Sequence, residues 1–204
     1  MGMAVEKQSV FIAIPSHTGS IEVPTVQSLL NAKDALHAND IEHEVQFITN
    51  CSLVMDARDV LAALFLASPK KYTDILWVDS DVGFHWLDMI NMLRRPVDFV
   101  AGSYRYKKDP ESYPMGWAGW PDHPPLYAYD PVTREKSETG LFKVDFVPMG
   151  FCRMKRSVIE RVAESRKEFQ YENHQFPGMT FTGMFDREVR NRASIGEDTT
   201  FCHR

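Results

Sequence analysis

The sequence predicts an α/β fold with a mainly parallel central sheet covered by helices, and three observations lead there. Strand-like and helix-like patterns alternate from residue 10 to residue 101. The strand-like runs are short and rich in β-branched and aromatic residues. The two segments best suited to bind a ligand, residues 15–19 and 79–81, each follow such a run. In open parallel sheets, ligands lie beyond the carboxyl ends of the strands.

Residues 10–14 form the first strand, ended by Pro15 and the turn-like residues 16–19. Pro24 opens a helix, with Val26, Leu29, Leu30, Lys33 and Leu36 at helical spacing. Residues 44–49 alternate like a half-buried strand. Residues 53–67 follow as a helix with Leu53, Ala57, Leu61, Leu64 and Phe65 on one face. Residues 75–78 are an apolar strand that runs into Asp79-Ser80-Asp81. Residues 85–95 read as a helix stopped by Pro96, and residues 97–101 as a further strand. The character then changes. Residues 107–125 are rich in proline, glycine and aromatics, and read as a long lid or binding loop. Residues 142–147 resemble a strand leading to Met149-Gly150. Residues 156–167 form an amphipathic helix with Val158, Ile159 and Val162 inward. Residues 169–194 carry no decisive pattern.

Composition narrows the function. The 204 residues are 44% hydrophobic and 25% charged, which suits one globular domain over residues 1–204. The net charge of −5 offers no general attraction for nucleic acid or an anionic membrane. The longest clean apolar run, residues 60–67, is far too short to span a bilayer, so no membrane insertion is expected. The first ten residues lack the apolar core of a signal peptide, and Glu6 argues against myristoylation. Three widely spaced cysteines, Cys51, Cys152 and Cys202, form neither a disulfide framework nor a zinc motif. A cytoplasmic location is the expectation.

The strongest chemical signal is Asp79-Ser80-Asp81. An apolar strand delivers two carboxylates to the rim of the sheet, where they repel each other and lose hydration. A hard cation, Mn²⁺ or Mg²⁺, removes that cost and keeps positions open for substrate phosphates. The competing explanation is a turn in which one aspartate caps the helix near His85. A second signal is Gly196-Glu197-Asp198, where an acid could take a proton from an attacking hydroxyl. Acids at a helix start also simply suit the helix dipole. A third is Arg58, which could reach a nucleotide or its phosphates, or be paired structurally. Tyr104, Tyr106, Trp117 and Trp120 border or occupy the long loop and could stack on a base or a sugar. The basic pairs Lys70-Lys71, Arg94-Arg95 and Lys107-Lys108 read as solvated surface. No GxGxxG, Walker A, HExxH or GxSxG motif occurs.

In chain order, Ile14-Pro15-Ser16, Ala57-Arg58, Val78-Asp79-Ser80-Asp81, Gly150-Phe151 and Gly196-Glu197-Asp198 resemble the GT-A fold glycosyltransferases that use nucleotide-sugar donors. The phrasing is that of compact enzymes from large DNA viruses and tailed phages, such as the capsid-glycosylating domain of chlorella viruses. The resemblance implies a Rossmann-like αβα sandwich and, for a viral chain, the host cytoplasm. It also implies roles. Pro15, Ser16 and His17 would line the base and ribose pocket, and Arg58 and Ser80 would lie near the donor nucleotide. Asp79 and Asp81 would hold Mn²⁺ or Mg²⁺, and Gly150 would border the transferred sugar. Asp198 would be the catalytic base of an inverting enzyme. Glu197 would contact sugar or acceptor, and Trp117 and Trp120 are the aromatic candidates for that contact. A UDP-sugar is the favoured donor, and a glycan or glycoprotein hydroxyl the acceptor. Many members add a late histidine as a metal ligand. Here the sequence ends six residues after Asp198, so either this branch does without it or the chain is the N-terminal domain of a longer protein.

Two alternatives stay open. A haloacid-dehalogenase-type phosphatase also follows a strand with DxD, but normally on its first strand, and its partner lysine and acidic pair are not apparent. A non-catalytic nucleotide-sugar or glycan-binding module would use the same aromatic loop without turnover.

Overall fold

The computed structural model describes residues 7–105, 140–141, 144–190 and 192–204. Tyr106, Lys107, Lys108, Trp117, Trp120 and the whole 107–125 loop lie outside the described residues. The elements are β1 (Ser9–Ser16), α1 (Val23–Ala38), β2 (Glu42–Thr49), α2 (Val54–Ala67), β3 (Asp74–Val78), α3 (Trp86–Arg94) and β4 (Phe99–Ala101). After the gap follow β5 (Phe151–Lys155), α4 (Arg156–Ser165), β6 (Gln170–Glu172), β7 (Thr180–Thr182), β8 (Glu188–Arg190), β9 (Ala193–Ile195) and α5 (Glu197–Cys202).

The chain is mixed α/β around a five-stranded sheet of order β2-β1-β3-β5-β4. β1 pairs in parallel with β2 and β3, whereas β5 runs antiparallel between β3 and β4. Alternating residues of β1 and β3 feed two cores, one on each face of the sheet. Phe11, Ala13, Ile75 and Trp77 pack with Leu61 and Phe65 of α2 and Ile159 of α4. Val10, Ile12, Ile14, Leu76 and Val78 pack with Leu36 of α1 and Met89, Ile90 and Leu93 of α3. Both faces are therefore covered by helices.

Several sequence expectations need correction. β1 does not stop at Pro15 but runs through it to Ser16, with Pro15 paired to Ile48 of β2. That is tolerated because β1 has by then outrun β3, whose last partner in β1 is Ala13. In α1 the buried face is Thr25, Ser28, Ala32 and Leu36, and Val26 and Leu30 are exposed. Ser28 earns this place by bonding: its hydroxyl donates to the Pro24 carbonyl (2.8 Å) and accepts from the Phe84 N–H (2.8 Å). In α2, Leu53 precedes the helix and is half exposed.

The predicted strand at 142–147 is not observed where it can be checked. Residues 142 and 143 lie outside the described residues, and residues 144–147 hold only an isolated bridge at Phe146. The strand comes later, as β5. Arg153 hides it, because a basic residue breaks the apolar run of a central strand. In the fold Arg153 is fully buried. Its guanidinium donates to the carbonyls of Met92 (2.8 Å), Arg95 (2.7 Å) and Val97 (2.6 Å), where α3 ends, and lies 3.6 Å from Asp74 Oδ1. It closes the carbonyl end of α3, so its charge is fully used.

Residues 169–194 form two hairpins, β6–β7 and β8–β9. Asp59 of α2 anchors this segment by accepting from the N–H groups of Met184 (2.8 Å) and Phe185 (3.2 Å) and from the Tyr171 hydroxyl (3.1 Å). Burial raises the Asp59 carboxyl to about 7, although those three bonds oppose the shift. The folded state thus binds a proton that the unfolded chain, titrating near 3.9, releases. The group's contribution is full in acid and is lost as pH rises through about 7. The expected outcome is that wild-type unfolding free energy declines between pH 5 and 8, and that Asp59→Asn flattens this decline. Equal slopes in chemical denaturation of the two proteins would rule the assignment out.

Candidate functional site

β3 is buried along its whole length and releases the chain at Asp79, at the rim of the sheet. The Asp79 N–H donates to the Gly150 carbonyl (2.9 Å), and its own carbonyl accepts from Val82 (3.1 Å). The position of the Asp79 carboxylate is thus set by backbone on both sides. The cap of α3 is His85, whose ring accepts from the Leu87 N–H (3.2 Å). Neither aspartate of the Asp79-Ser80-Asp81 turn is needed for that task.

One turn inside α2, Arg58 lies beneath this rim with 3% of its side chain exposed. Its Nη2 donates to Asp79 Oδ1 (3.2 Å). Its Nη1 donates to Glu197 Oε1 (3.4 Å) and to Asp198 Oδ1. Asp198 Oδ2 also accepts the Met149 N–H (3.1 Å). Residues more than a hundred positions apart in sequence, Asp79 and the Glu197-Asp198 pair, therefore share one guanidinium. The three carboxylates keep 28%, 17% and 30% of their side chains exposed, so their outer edges face solvent. Burial works against the Arg58 charge, but Asp198, Asp79 and Glu197 outweigh it and hold the group protonated. Among the described residues its Nε has no hydrogen-bond partner.

The charges do not balance. Among the described residues, three carboxylates share this one guanidinium, two negative charges in excess when all are ionised, and Asp81 lies close enough to repel Asp79. Burial, with repulsion from Asp198 and Asp81, pushes the Asp79 carboxyl up despite Arg58. Arg58 engages Oδ1 of Asp79, and Oδ2 lies toward Gly150. By chemistry the carboxylates of Asp79 and Asp81 fit Mn²⁺ or Mg²⁺, which would take both as oxygen donors. Among the described residues, no group of three or more His, Cys, Asp or Glu side chains is arranged to hold a metal.

Gly150 completes the floor. A Cβ there would lie 2.3 Å from the Tyr104 hydroxyl and 2.7 Å from Asp79 Oδ2, so no larger residue fits without displacing one of them. The Tyr104 hydroxyl accepts the Gly150 N–H (3.2 Å), and burial, helped by Asp79 and Asp198, keeps it protonated.

The loop after β1 shares this end of the sheet. Pro15 and Ser16 are buried, and the Ser16 hydroxyl donates to Ser20 O (2.7 Å). His17 is exposed, with Nδ1 3.1 Å from the Cys51 carbonyl. A bond from the Glu22 N–H to Ser80 O (2.8 Å) ties this loop to the aspartate turn. Pro15, Ser16 and His17 form no hydrogen bond with the Arg58 cluster among the described residues. Trp117 and Trp120 lie outside the described residues. The sequence reading missed two groups, the Met149 N–H and the Tyr104 hydroxyl as a bonded part of the site. A backbone donor leaves no trace in residue type. No protein-family model matches the chain, and no curated protein matches its sequence.

Removing the shared cation should expose the repulsion it relieves. Arg58→Met is expected to destabilise the fold by about 3 kcal/mol. The loss should be greater at pH 8 than at pH 5, because unpaired carboxylates take up protons in the folded state and that stabilising uptake fades as pH rises. Guanidinium chloride titrations at both pH values read this directly, and a pH-independent loss would contradict it.

Proposed function

We propose that the chain is a metal-dependent glycosyltransferase of the GT-A type. It would move a sugar from a nucleotide diphosphate donor, with a UDP-sugar favoured, to a hydroxyl of a glycan or glycoprotein acceptor. The observation that carries this reading is the convergence of Asp79 and Asp198 on Arg58 at the carboxyl end of the sheet, beside the glycine at position 150. The helix-covered, mainly parallel sheet supports it at the level of architecture.

Asp79 and Asp81 would hold Mn²⁺ or Mg²⁺, which when bound neutralises the charge of the departing diphosphate. Asp198 is suited to the base role because its orientation is set twice, by Arg58 and by the Met149 N–H. Each of its oxygens keeps a further lone pair for an acceptor hydroxyl. The acceptor oxygen forms a bond to the anomeric carbon as its proton passes to Asp198. The bond from that carbon to the diphosphate oxygen breaks, and its electron pair leaves with the nucleoside diphosphate. Attack on the face opposite the leaving group gives inversion. The backbone bond from Asp79 to Gly150 ties the aspartate turn to the segment whose Met149 N–H orients Asp198.

Calorimetric titration of UDP and of GDP, with and without Mn²⁺, tests the donor side. Binding of one nucleotide that strengthens at least tenfold with Mn²⁺ is expected, and Asp81→Ala should remove the metal effect while leaving the melting temperature of the apoprotein near wild type. Asp198→Asn should retain donor binding and lose transfer by about a hundredfold or more. Folded protein that binds neither nucleotide, or an Asp81→Ala variant with full metal dependence, would overturn the reading. Release of phosphate from a generic phosphate ester would favour the phosphatase instead.

A further inference from the structure

A cavity of about 410 Å³ opens between α3 and the end of β4, on the far side of Tyr104 from the carboxylate cluster. Its size falls within the range of small-molecule sites. One wall carries Asp88 and Asn91, three residues apart on one face of α3, and the lining also includes Arg95 just past the end of that helix. The opposite wall is Ser103 and Tyr104, and the base is aromatic, with Phe84 stacked on Phe151 (centroids 4.6 Å apart, planes at 24°). The base is held in place by close approach. A Cβ on Gly102 would lie 2.5 Å from the Phe151 ring, and the Gly102 N–H donates to the Phe151 carbonyl (2.9 Å).

We infer that this cavity is a carbohydrate subsite that takes one neutral pyranose ring. Three features point to that chemistry. The aromatic base offers an apolar face of the kind on which the C–H face of a sugar rests. Asp88 and Asn91 make no side-chain hydrogen bond among the described residues, and together they present acceptors and donors in a row, which suits adjacent ring hydroxyls. Asp88 and Arg95 both line the cavity, one acid and one base, so the lining carries no net charge to select an ion, and its polar groups disfavour an acyl chain. The helix dipole explains an acid in the first turn of α3, but it does not explain Asn91 one turn on.

Tyr104 links this cavity to the acid cluster. Its ring lines the cavity, and its hydroxyl is bonded to Gly150, whose missing side chain faces Asp79. A sugar bound here lies one side chain away from the carboxylates. Its assignment as the acceptor subsite rests on the transferase reading above; the binding of the sugar does not.

The test uses the full ¹⁵N-labelled chain without nucleotide or metal, with methyl β-D-glucopyranoside and methyl β-D-galactopyranoside as probes. Saturable amide shifts at Asn91, Gly102, Ser103 and Tyr104 are expected with at least one glycoside. Asn91→Leu, an exposed helix position that should fold, is expected to weaken that binding about tenfold, the worth of a hydrogen bond or two. Asp88→Asn should weaken it less. No shifts with either glycoside well above millimolar concentration would overturn the proposal. So would shifts centred on Asp79 and Asp198, or shifts unchanged by Asn91→Leu. Glycoside binding in a protein that binds no nucleotide would keep the subsite and remove the transferase reading; the reverse result would do the opposite.

Discussion

The burial of the Arg58 guanidinium is the constraint on which the rest of the site depends. A charge placed under a sheet rim must be compensated, and α2 offers no partner of its own. Compensation comes from the end of β3, through Asp79, and from the start of α5, through Glu197 and Asp198. The Met149 N–H, just ahead of β5, then fixes the second oxygen of Asp198. Three elements and the approach to a fourth are thus registered against one side chain. The acids gain fixed orientation in return, which a solvated pair on separate loops could not hold.

Arginine serves elsewhere in the fold as a joint rather than as surface charge. Arg153 closes the carbonyl end of α3 from within the sheet. Arg156, at the start of α4, donates to the carbonyls of Phe65 (2.9 Å) and Tyr72 (2.9 Å), where α2 ends and β3 is approached. A planar group with five donors suits this task, since several carbonyls with different directions can be met at once. The two helices that flank β3 in sequence are therefore terminated by residues from the β5–α4 segment, far along the chain. Both joints meet at the start of β3, beside Tyr72 and Asp74.

The alternation of strands and helices up to residue 101 was legible because β1 and β3 are built on apolar runs and the turns are marked by proline and glycine. The site was legible in part for the same reason, since a strand that ends in two aspartates must present them at a rim. What was not legible shares one physical cause: polar groups made compatible with burial by partners distant in sequence. Arg153 disguised β5 as a non-strand. Ser28 rotated the buried face of α1 away from Val26 and Leu30, because its hydroxyl is doubly bonded. Asp59 holds the 169–194 segment, whose short hairpins have little pattern of their own. Arg58 could be read from sequence as a nucleotide contact or as a structural pair, and only the proximity of Asp79 and Asp198 makes its pairing visible.

That pairing also divides the work among the carboxylates. An arginine that fully neutralised the cluster would leave nothing to attract a cation, and one that was absent would leave acids too repulsive to hold still. Arg58 does neither. It takes one oxygen from each of the three acids and leaves Asp79 Oδ2, toward Gly150, outside its own bonds. The inner oxygens secure geometry while the outer ones keep their chemistry. Gly150 preserves the arrangement by omission, since any side chain there would occupy the space between Tyr104 and that outer oxygen. Fixed acids that keep residual charge are what a site needs if it is to orient a charged substrate without surrendering its carboxylates to their own counter-ion.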